Sequence, residues 1–211
     1  MTSPFPSLKW RLSDKQMAQL RKMLSRLIRR NSSTGVEAFN CHEQTDAAWL
    51  DRAKIAAEMV SELVQNDGLV QVHLADIGCG DQKFRKVLSG EVSEASYSGF
   101  DLHPQSDDVA PFDIEADQLP TPMDIAVLLG VLEYSVNIPA ALLRLRPKIQ
   151  YLVVSHAVRD RRATDAKTKR RLNWKSHLTE AEFVDTLNMA GFTVSKRRVT
   201  SNGRSIVWLC T

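Results

Sequence analysis

The chain has 211 residues, of which 43% are hydrophobic and 25% are charged, and its formal net charge is +3. This length and composition predict a globular protein with one well-buried core and exclude a repeat or low-complexity protein. No apolar run approaches the ~20 residues that span a membrane, and the N-terminus lacks a signal-peptide core, so we expect a cytoplasmic protein. The three cysteines share no metal-ligand spacing, and we expect no bound metal.

The first 66 residues are predicted to be an N-terminal extension to the main domain, residues 67–211. Residues 1–12 contain two prolines and several bulky apolar side chains, which favours an arm without regular structure. A helix is predicted to begin at Ser13, because apolar residues recur at helical spacing over residues 17–28, among several arginines and a lysine. This helix covers the main domain or, alternatively, contacts a membrane surface or an anionic partner.

A glycine-containing stretch organises the main domain. Before this stretch, a broad apolar stripe over residues 49–64 predicts a helix. Residues 72–81, VHLADIGCGD, combine a strand-like apolar run with a tight turn and the start of a helix over residues 82–88. Gly78 and Gly80 permit backbone conformations closed to other residues and allow a ligand to approach the main chain. The helix directs unpaired N–H groups at the same place, so the stretch predicts a site for a polar or anionic ligand.

A second strand is predicted over residues 97–101 and ends in Asp101. In an open α/β sheet, an acidic residue in this place accepts hydrogen bonds from ribose hydroxyls. A dinucleotide-binding fingerprint requires a third glycine, but Lys83 stands at that position and Asp76 precedes the first glycine. The pattern therefore disfavours a nicotinamide or flavin enzyme.

The rest of the chain alternates strands and helices and closes with a hairpin. Thr179 and Glu182 form a capping-box signature, and Asn202 and Gly203 are typical of the turn in a hairpin. This alternation predicts an α/β sheet with a parallel centre. Strands are predicted over residues 109–112, 123–129 and 151–155, helices over 139–145 and from 179 to about 191, and the hairpin over 193–199 and 205–209.

The motif Asp76-Ile-Gly-Cys-Gly-Asp81 followed by Asp101 resembles the first two motifs of class I S-adenosylmethionine-dependent methyltransferases. The similarity runs from about residue 70 to the C-terminus, and its late part looks like the small-molecule members. It implies a Rossmann-like, mostly parallel seven-stranded sheet flanked by helices, with the last strand antiparallel, and S-adenosylmethionine as cofactor. One position departs from the family, because Gln82 stands where many members have a third glycine.

The resemblance assigns residues to each part of the cofactor. Gly78 and Gly80 admit the methionine moiety, while Asp76 orders the glycine turn and the methionine amino group. Asp101 holds the ribose hydroxyls, and Asp113 meets the adenine amino group. The complete set implied for the cofactor is Asp76, Gly78, Cys79, Gly80, Asp101, Leu102, Asp113, Ile114 and Gly130.

The predicted acceptor is a small molecule methylated at oxygen, such as a sugar or a phosphorylated metabolite. An oxygen nucleophile usually needs a base near its proton, although many methyl transfers proceed without one. The candidates for this base are Glu133, His156 and His177, which follow predicted strands or precede the late helix. His177 is preferred because Asn173 and Trp174 lie beside it and shape an acceptor pocket. The expected substrate contacts are Tyr134, Asn173 and Trp174.

Residues 159–175 contain eight Lys or Arg and two Asp. Such a cluster attracts anionic ligands, although a solvated loop has the same composition. Residues 129–134 lack the Pro-Pro-aromatic motif of nucleic-acid amino-methylating enzymes, which disfavours a nucleic-acid partner. Two alternatives stay open: an RNA methyltransferase that uses residues 159–175, and a non-catalytic protein that binds S-adenosylmethionine or docks on a partner.

Overall fold

The alternation of strands and helices folds into one layered α/β unit in the computed structural model, which describes residues 47–92, 95–161, 170 and 172–211. The predicted helix that begins at Ser13 lies outside these residues. Most of the lysine- and arginine-rich residues 159–175 lie outside them too. The division of the chain at residue 67 therefore stays a prediction.

Within the described residues, the strands form one seven-stranded sheet. The strands are β1 (His73–Ile77), β2 (Ser96–Asp101), β3 (Val109–Pro111), β4 (Met123–Leu129), β5 (Ile149–Ala157), β6 (Val194–Val199) and β7 (Ser205–Cys210). Their order in the sheet is β3-β2-β1-β4-β5-β7-β6. The first five strands pair in parallel, whereas β7 lies antiparallel between β5 and β6. The predicted Rossmann-like sheet with an antiparallel last strand is confirmed.

Helices cover both faces of the sheet. They are α1 (Ala47–Asp67), α2 (Lys83–Leu88), α3 (Ile138–Leu145) and α4 (Glu180–Met189), with 3-10 turns at Leu132–Tyr134 and Arg146–Lys148. Met59 of α1 and Phe84 of α2 are buried in the core on one face. Leu142 of α3 and Phe183 of α4 are buried in the core on the other face. None of the described helices is long and apolar enough to cross a membrane.

The fifth strand is longer than the sequence predicts, and His156 lies inside it instead of after it. The prediction ends this strand at residue 155, whereas β5 continues to Ala157 and pairs His156 with Ile206 of β7. The prediction that His156 follows the strand is therefore wrong. Its ring is fully buried and stacks on Phe183, with ring centroids 4.6 Å apart. The extension arises from pairing with a strand about 50 residues later, which local sequence does not reveal.

Ion pairs fasten the edge strand β6 to helices on both faces of the sheet. Lys196 and Arg198 bind Glu62 of α1 on one face. Arg197 binds Glu180 of α4 on the other face, where its Nη2 lies 2.8 Å from Oε2. Alternate side chains of a strand point to opposite faces, so three consecutive cations reach both helical layers.

We expect Thr179→Ala to lower the free energy of unfolding by about 1 kcal/mol. The Thr179 hydroxyl accepts from the Glu182 N–H at 3.2 Å, and the Glu182 carboxylate accepts from the Thr179 N–H at 2.8 Å, so the capping box is formed. Urea denaturation measures the change. The matched control is Thr186→Ala in the same helix, which removes only a bond to the Glu182 carbonyl and should have a smaller effect. Equal losses for the two variants would contradict the capping role.

Candidate functional site

The predicted cofactor residues gather where the parallel strands end. The glycine turn follows β1, Asp101 ends β2, and Gly130 follows β4. Because β1 pairs with both β2 and β4, these three positions lie at one edge of the sheet. The chain crosses to the other side of β1 when it passes from β3 to β4, which makes this edge a topological switch point. Ligands of open α/β sheets bind in this place.

The glycine turn is packed tightly against the segment that follows β4. Gly78 and Gly80 have φ values of 72° and 52°, which are left-handed conformations. A Cβ atom at Gly78 would lie 2.4 Å from Cγ2 of Val131, so a side chain there would displace Val131. The N–H groups of Gly78 and Cys79 donate to the Phe100 carbonyl of β2 at 2.7 and 3.1 Å. The turn is thus held by both neighbouring strands.

Asp101 faces the glycine turn. Its Oδ2 accepts from the Gly80 N–H and its Oδ1 accepts from the His103 N–H, both at 2.9 Å. Each carboxylate oxygen can accept a further hydrogen bond, so the group is oriented but not saturated. The next side chain, Leu102, is 47% exposed and offers an apolar surface beside it.

Asp76 is buried beneath the turn and accepts a 2.6 Å hydrogen bond from the Tyr97 hydroxyl. Burial raises the pKa of Asp76 to about 7, against the opposing effect of the Tyr97 bond and with a smaller contribution from the Asp101 charge. Burial likewise raises the pKa of the Cys79 thiol to about 12, which keeps it protonated. Sequence reasoning missed Tyr97, because its contact with Asp76 crosses between strands.

Gln82 explains how the chain does without the third glycine. Its backbone has a left-handed φ of 59°, a conformation that costs a non-glycine residue roughly 1–2 kcal/mol. The side chain turns towards the loop after β2 and donates to Ser106 and to Asp108, both at 3.1 Å. It also accepts from Arg85 at 2.8 Å. The residue keeps the glycine-like backbone and ties the turn to the neighbouring loop.

The loop after β3 is fixed by its own acidic residues and by α3. Oδ1 of Asp113 accepts from the Glu115 N–H at 2.8 Å, and the Asp113 N–H donates to Asp117 at 2.7 Å. The carbonyl of Ile114 accepts from Nη2 of Arg144 at 3.1 Å. These bonds set the course of the loop that the resemblance assigns to adenine.

Glu115, which sequence reasoning missed, ties this loop to the start of α3. Its Oε1 accepts from the Ser135 hydroxyl at 2.8 Å and from the N–H groups of Val136 and Asn137 at 2.5 and 3.1 Å. The partners lie about 20 residues away, so no local motif marks the contact. One carboxylate thereby connects the ends of β3 and β4.

Glu133 joins three segments at the end of β4. It is 1% exposed, and its Oε1 accepts from the Ala157 N–H of β5 at 2.8 Å. Its carbonyl accepts from the N–H groups of Lys175 and Ser176 at 2.8 and 3.0 Å. The residue therefore holds the segment before α4 against the end of β4.

The electrostatics of Glu133 suit an anchor better than a base. Burial acts to raise its pKa, but His156, Arg52 and the Ala157 N–H outweigh burial and lower the pKa to about 2. Its Oε2 lies 3.7 Å from Nδ1 of His156, beyond hydrogen-bond distance, and both side chains are buried. A carboxylate with so low a pKa has little affinity for a proton from an acceptor hydroxyl.

The predicted substrate residues lie on either side of this anchor. Tyr134 belongs to the same 3-10 turn as Glu133. Asn173 has a left-handed φ of 54°, where the chain turns before Trp174. The ring centroids of Trp174 and His177 are 5.2 Å apart, and His177 is 9% exposed. The hydrogen bonds of the Glu133 carbonyl to residues 175 and 176 hold the segment that carries the Trp174 and His177 rings at the end of β4.

Two side chains of α1, which sequence reasoning missed, lie on Gly130. This glycine has a φ of 73°, and a Cβ atom there would lie 2.6 Å from Nη1 of Arg52 and 2.9 Å from Cη2 of Trp49. The Arg52 guanidinium carbon lies 3.8 Å from the centroid of the Trp49 ring. In the sequence both residues are ordinary members of a helix, and only the tertiary fold brings them to the site. No cluster of three or more potential metal ligands occurs in the described part of the chain.

Comparisons with known proteins agree with this architecture. No protein-family model matches the sequence, and a search of curated proteins found no significant match. Solved structures do match. The chain has the fold of the class I methyltransferases.

Three of these structures illustrate the methyltransferase fold at low sequence identity. The pyocyanin biosynthetic protein PhzM matches with a TM-score of 0.55 and 15% identity over 71% of this chain and 53% of its own. The O-methyltransferase NcsB1 from neocarzinostatin biosynthesis is in complex with S-adenosylhomocysteine and 1,4-dihydroxy-2-naphthoic acid. It matches with a TM-score of 0.55 and 19% identity over 72% of this chain and 56% of its own. The plantazolicin methyltransferase BpumL, in complex with a monoazolic desmethylPZN analogue and S-adenosylhomocysteine, matches with a TM-score of 0.61 and 15% identity over 78% of this chain and 85% of its own. The chain thus spans about half the length of PhzM and NcsB1.

We expect Asp76→Asn to gain stability relative to the wild type as pH rises. The ordinary pKa of the carboxyl is 3.8, and burial raises it to about 7 in the folded protein. Between these values the unfolded chain binds fewer protons than the folded chain, so ionisation destabilises the wild type as pH increases. The asparagine does not ionise.

The difference in the free energy of unfolding between variant and wild type should grow by up to about 1.4 kcal/mol per pH unit, then level off above about pH 7. Urea denaturation of both proteins between about pH 5 and pH 8 measures it. A difference that does not change with pH would show that Asp76 ionises with an ordinary pKa.

Proposed function

We propose that the protein is an S-adenosylmethionine-dependent methyltransferase that transfers a methyl group to the oxygen of a small molecule. The observation that carries the proposal is the edge formed by the glycine turn and Asp101, at the switch point of a sheet with the methyltransferase fold. NcsB1 and BpumL, which share this fold, are seen with S-adenosylhomocysteine. Bound S-adenosylmethionine supplies a methyl group that its sulfonium already activates.

The residues at this edge fit such a donor. Gly78 and Gly80 have left-handed backbone conformations that suit glycine, and neither adds a side chain that would hinder a ligand from approaching the turn. Asp101 is fixed in orientation and retains lone pairs for ribose hydroxyls. The buried carboxyl of Asp76 is half ionised near neutral pH, and an ammonium group beside it would favour the charged form. We assign adenine to the loop of Asp113, as the resemblance implies.

The chain contributes mainly by alignment. Holding acceptor oxygen, methyl carbon and sulfur in line supplies roughly 7–11 kcal/mol of a barrier. We assign the acceptor to the end of β4, where Tyr134 follows Glu133 and the segment after Trp174 is hydrogen-bonded to the Glu133 carbonyl. NcsB1 is seen with a naphthoic acid, which supports a small acceptor that bears an acidic group.

Among the three predicted bases, His177 is our choice for removing the acceptor proton. Its ring lies beside Trp174 in the segment that Glu133 anchors. His156 stacks on Phe183 inside the core, and the pKa of Glu133 is about 2. These two residues are better suited to support the site than to contact the substrate.

The cofactor assignment predicts that S-adenosylmethionine and S-adenosylhomocysteine each raise the melting temperature. A ligand at 100 times its Kd stabilises the folded state by about 2.7 kcal/mol. Differential scanning fluorimetry with both compounds measures this shift, and mass spectrometry of small phenols and hydroxy acids incubated with the protein then detects transfer. If neither compound shifts the melting temperature, the proposed function is wrong. A shift without transfer to any acceptor would favour a binding protein.

Asp101→Ala should weaken the binding of S-adenosylhomocysteine about tenfold or more, because it removes hydrogen bonds to a charged group worth about 1.5–3 kcal/mol. Isothermal titration calorimetry measures the affinity. Asp185→Ala is the matched control, since Asp185 is an exposed carboxylate on α4, and it should bind as the wild type does. Asp101→Asn keeps the shape of the side chain, so it should lose less affinity for S-adenosylhomocysteine than Asp101→Ala does. Unchanged affinity in Asp101→Ala would exclude the ribose assignment.

A further inference from the structure

Gln82 combines a glycine-like backbone with a long polar side chain. Its φ of 59° is a left-handed conformation that a glycine adopts without strain. A non-glycine residue keeps such a conformation only when its surroundings hold it there. Both atoms of its amide group are engaged, because Nε2 donates to Ser106 and Asp108 at 3.1 Å and Oε1 accepts from Arg85 at 2.8 Å. A third glycine at this position could make none of these bonds.

The partners of Gln82 are also bonded to one another. Nη1 of Arg85 donates to Oδ2 of Asp108, and the Ser106 hydroxyl donates to Oδ1 of Asp108, both at 2.5 Å. The bonds from the other three residues, with that from Ser106 the largest contribution, lower the pKa of Asp108 to about 2. The carboxylate is therefore ionised at neutral pH. We call Gln82, Arg85, Ser106 and Asp108 the Gln82 network.

One side of the Gln82 network belongs to the packed framework, and the other side belongs to an exposed loop. Arg85 lies in α2, and its guanidinium carbon is 5.1 Å from the ring centroid of Tyr97 in β2. The other side is the loop of residues 102–108, which connects β2 to β3 and in which every residue is exposed. Such a loop buries few apolar contacts of its own, so it depends on other bonds to keep one conformation. The Gln82 network supplies bonds of this kind.

The conformation of this loop matters for the adenosine end of the proposed donor. The loop begins directly after Asp101, which we assign to the ribose. Its second residue, His103, donates from its backbone to Oδ1 of Asp101 at 2.9 Å, and its first residue, Leu102, offers apolar surface beside that carboxylate. A loop that moved would carry both groups with it. A site that is ordered before its ligand arrives loses less conformational entropy on binding and binds more tightly.

We propose that the Gln82 network holds residues 102–108 in the conformation that binds the adenosine end of S-adenosylmethionine. Gln82 is then a positioning residue for the ribose and adenine. Its place in the glycine turn, which the resemblance assigns to the methionine moiety, would instead predict an effect at the other end of the donor. The inference rests on the proposed function, since it needs the donor in the site.

Calorimetry with two ligands separates the two ends of the donor. S-adenosylhomocysteine has both ends, whereas 5′-methylthioadenosine keeps the adenine, ribose and sulfur but lacks the amino-acid end. Gln82→Gly keeps the left-handed backbone and removes the side-chain bonds. It should weaken the binding of both ligands by the same factor, about threefold to tenfold. The melting temperature of the ligand-free protein should change little, because glycine relieves the backbone strain.

A second variant tests whether the residues act as one unit. Asp108→Ala removes the carboxylate that Gln82 and Arg85 share, and it should weaken both ligands as Gln82→Gly does. The double variant should lose no more than the larger single loss, since either change breaks the same network. Asp107→Ala is the matched control, because Asp107 is an exposed carboxylate of the same loop outside the network, and it should bind both ligands as the wild type does.

Four results would contradict these expectations. A loss for S-adenosylhomocysteine alone in Gln82→Gly would assign Gln82 to the methionine end and overturn the proposal. Unchanged affinity for both ligands would overturn it too, as would additive losses in the double variant. If the wild type binds S-adenosylhomocysteine but not 5′-methylthioadenosine, the adenosine end contributes too little for the loop to matter, and the inference fails. If the wild type binds neither ligand, the proposed function itself fails.

Discussion

The packing of the Val131 side chain directly against the backbone of Gly78 is the constraint on which the site depends. Gly78 leaves β1 and Val131 follows β4, and these strands are hydrogen-bonded neighbours. A Cβ atom at Gly78 would lie 2.4 Å from Cγ2 of Val131, so any larger residue would displace that side chain. Asp101 closes the third side through the Gly80 N–H. The glycine turn is therefore held between the Val131 side chain and the Asp101 carboxylate.

Buried and half-buried carboxylates at this edge act as connectors between segments. Asp76 is joined to Tyr97 of the neighbouring strand, and Glu133 is joined to the Ala157 N–H. Glu115 binds the start of α3 through two backbone N–H groups and a hydroxyl. Each bond links parts of the chain that are distant in sequence. A hydrogen-bonded carboxylate costs less to bury than a free one, and it transmits the position of one loop to the next.

Much of the fold follows from local sequence, whereas the site does so only in part. β4 has the bounds that its continuous apolar run predicts, and the Thr179 capping box forms as expected, because both depend on neighbouring residues. The predicted position of His156 after the strand is wrong, because the extra length of β5 comes from pairing with β7. The positions of Arg52 and Glu115 at the site could not be predicted from the sequence for the same reason. Their partners are brought to them by tertiary packing, which no spacing in the sequence encodes.

The charged edge strand β6 has a consequence for how the protein behaves in concentrated solution. An unpaired strand is a template on which another chain can add, and this addition begins many aggregates. Lys196, Arg197 and Arg198 place three cations in succession on that strand, each engaged by a helix of its own molecule. A second copy that approached in register would bring like charges together and would compete with these ion pairs. Within the described part of the chain, these charges therefore oppose the addition of a further strand at β6.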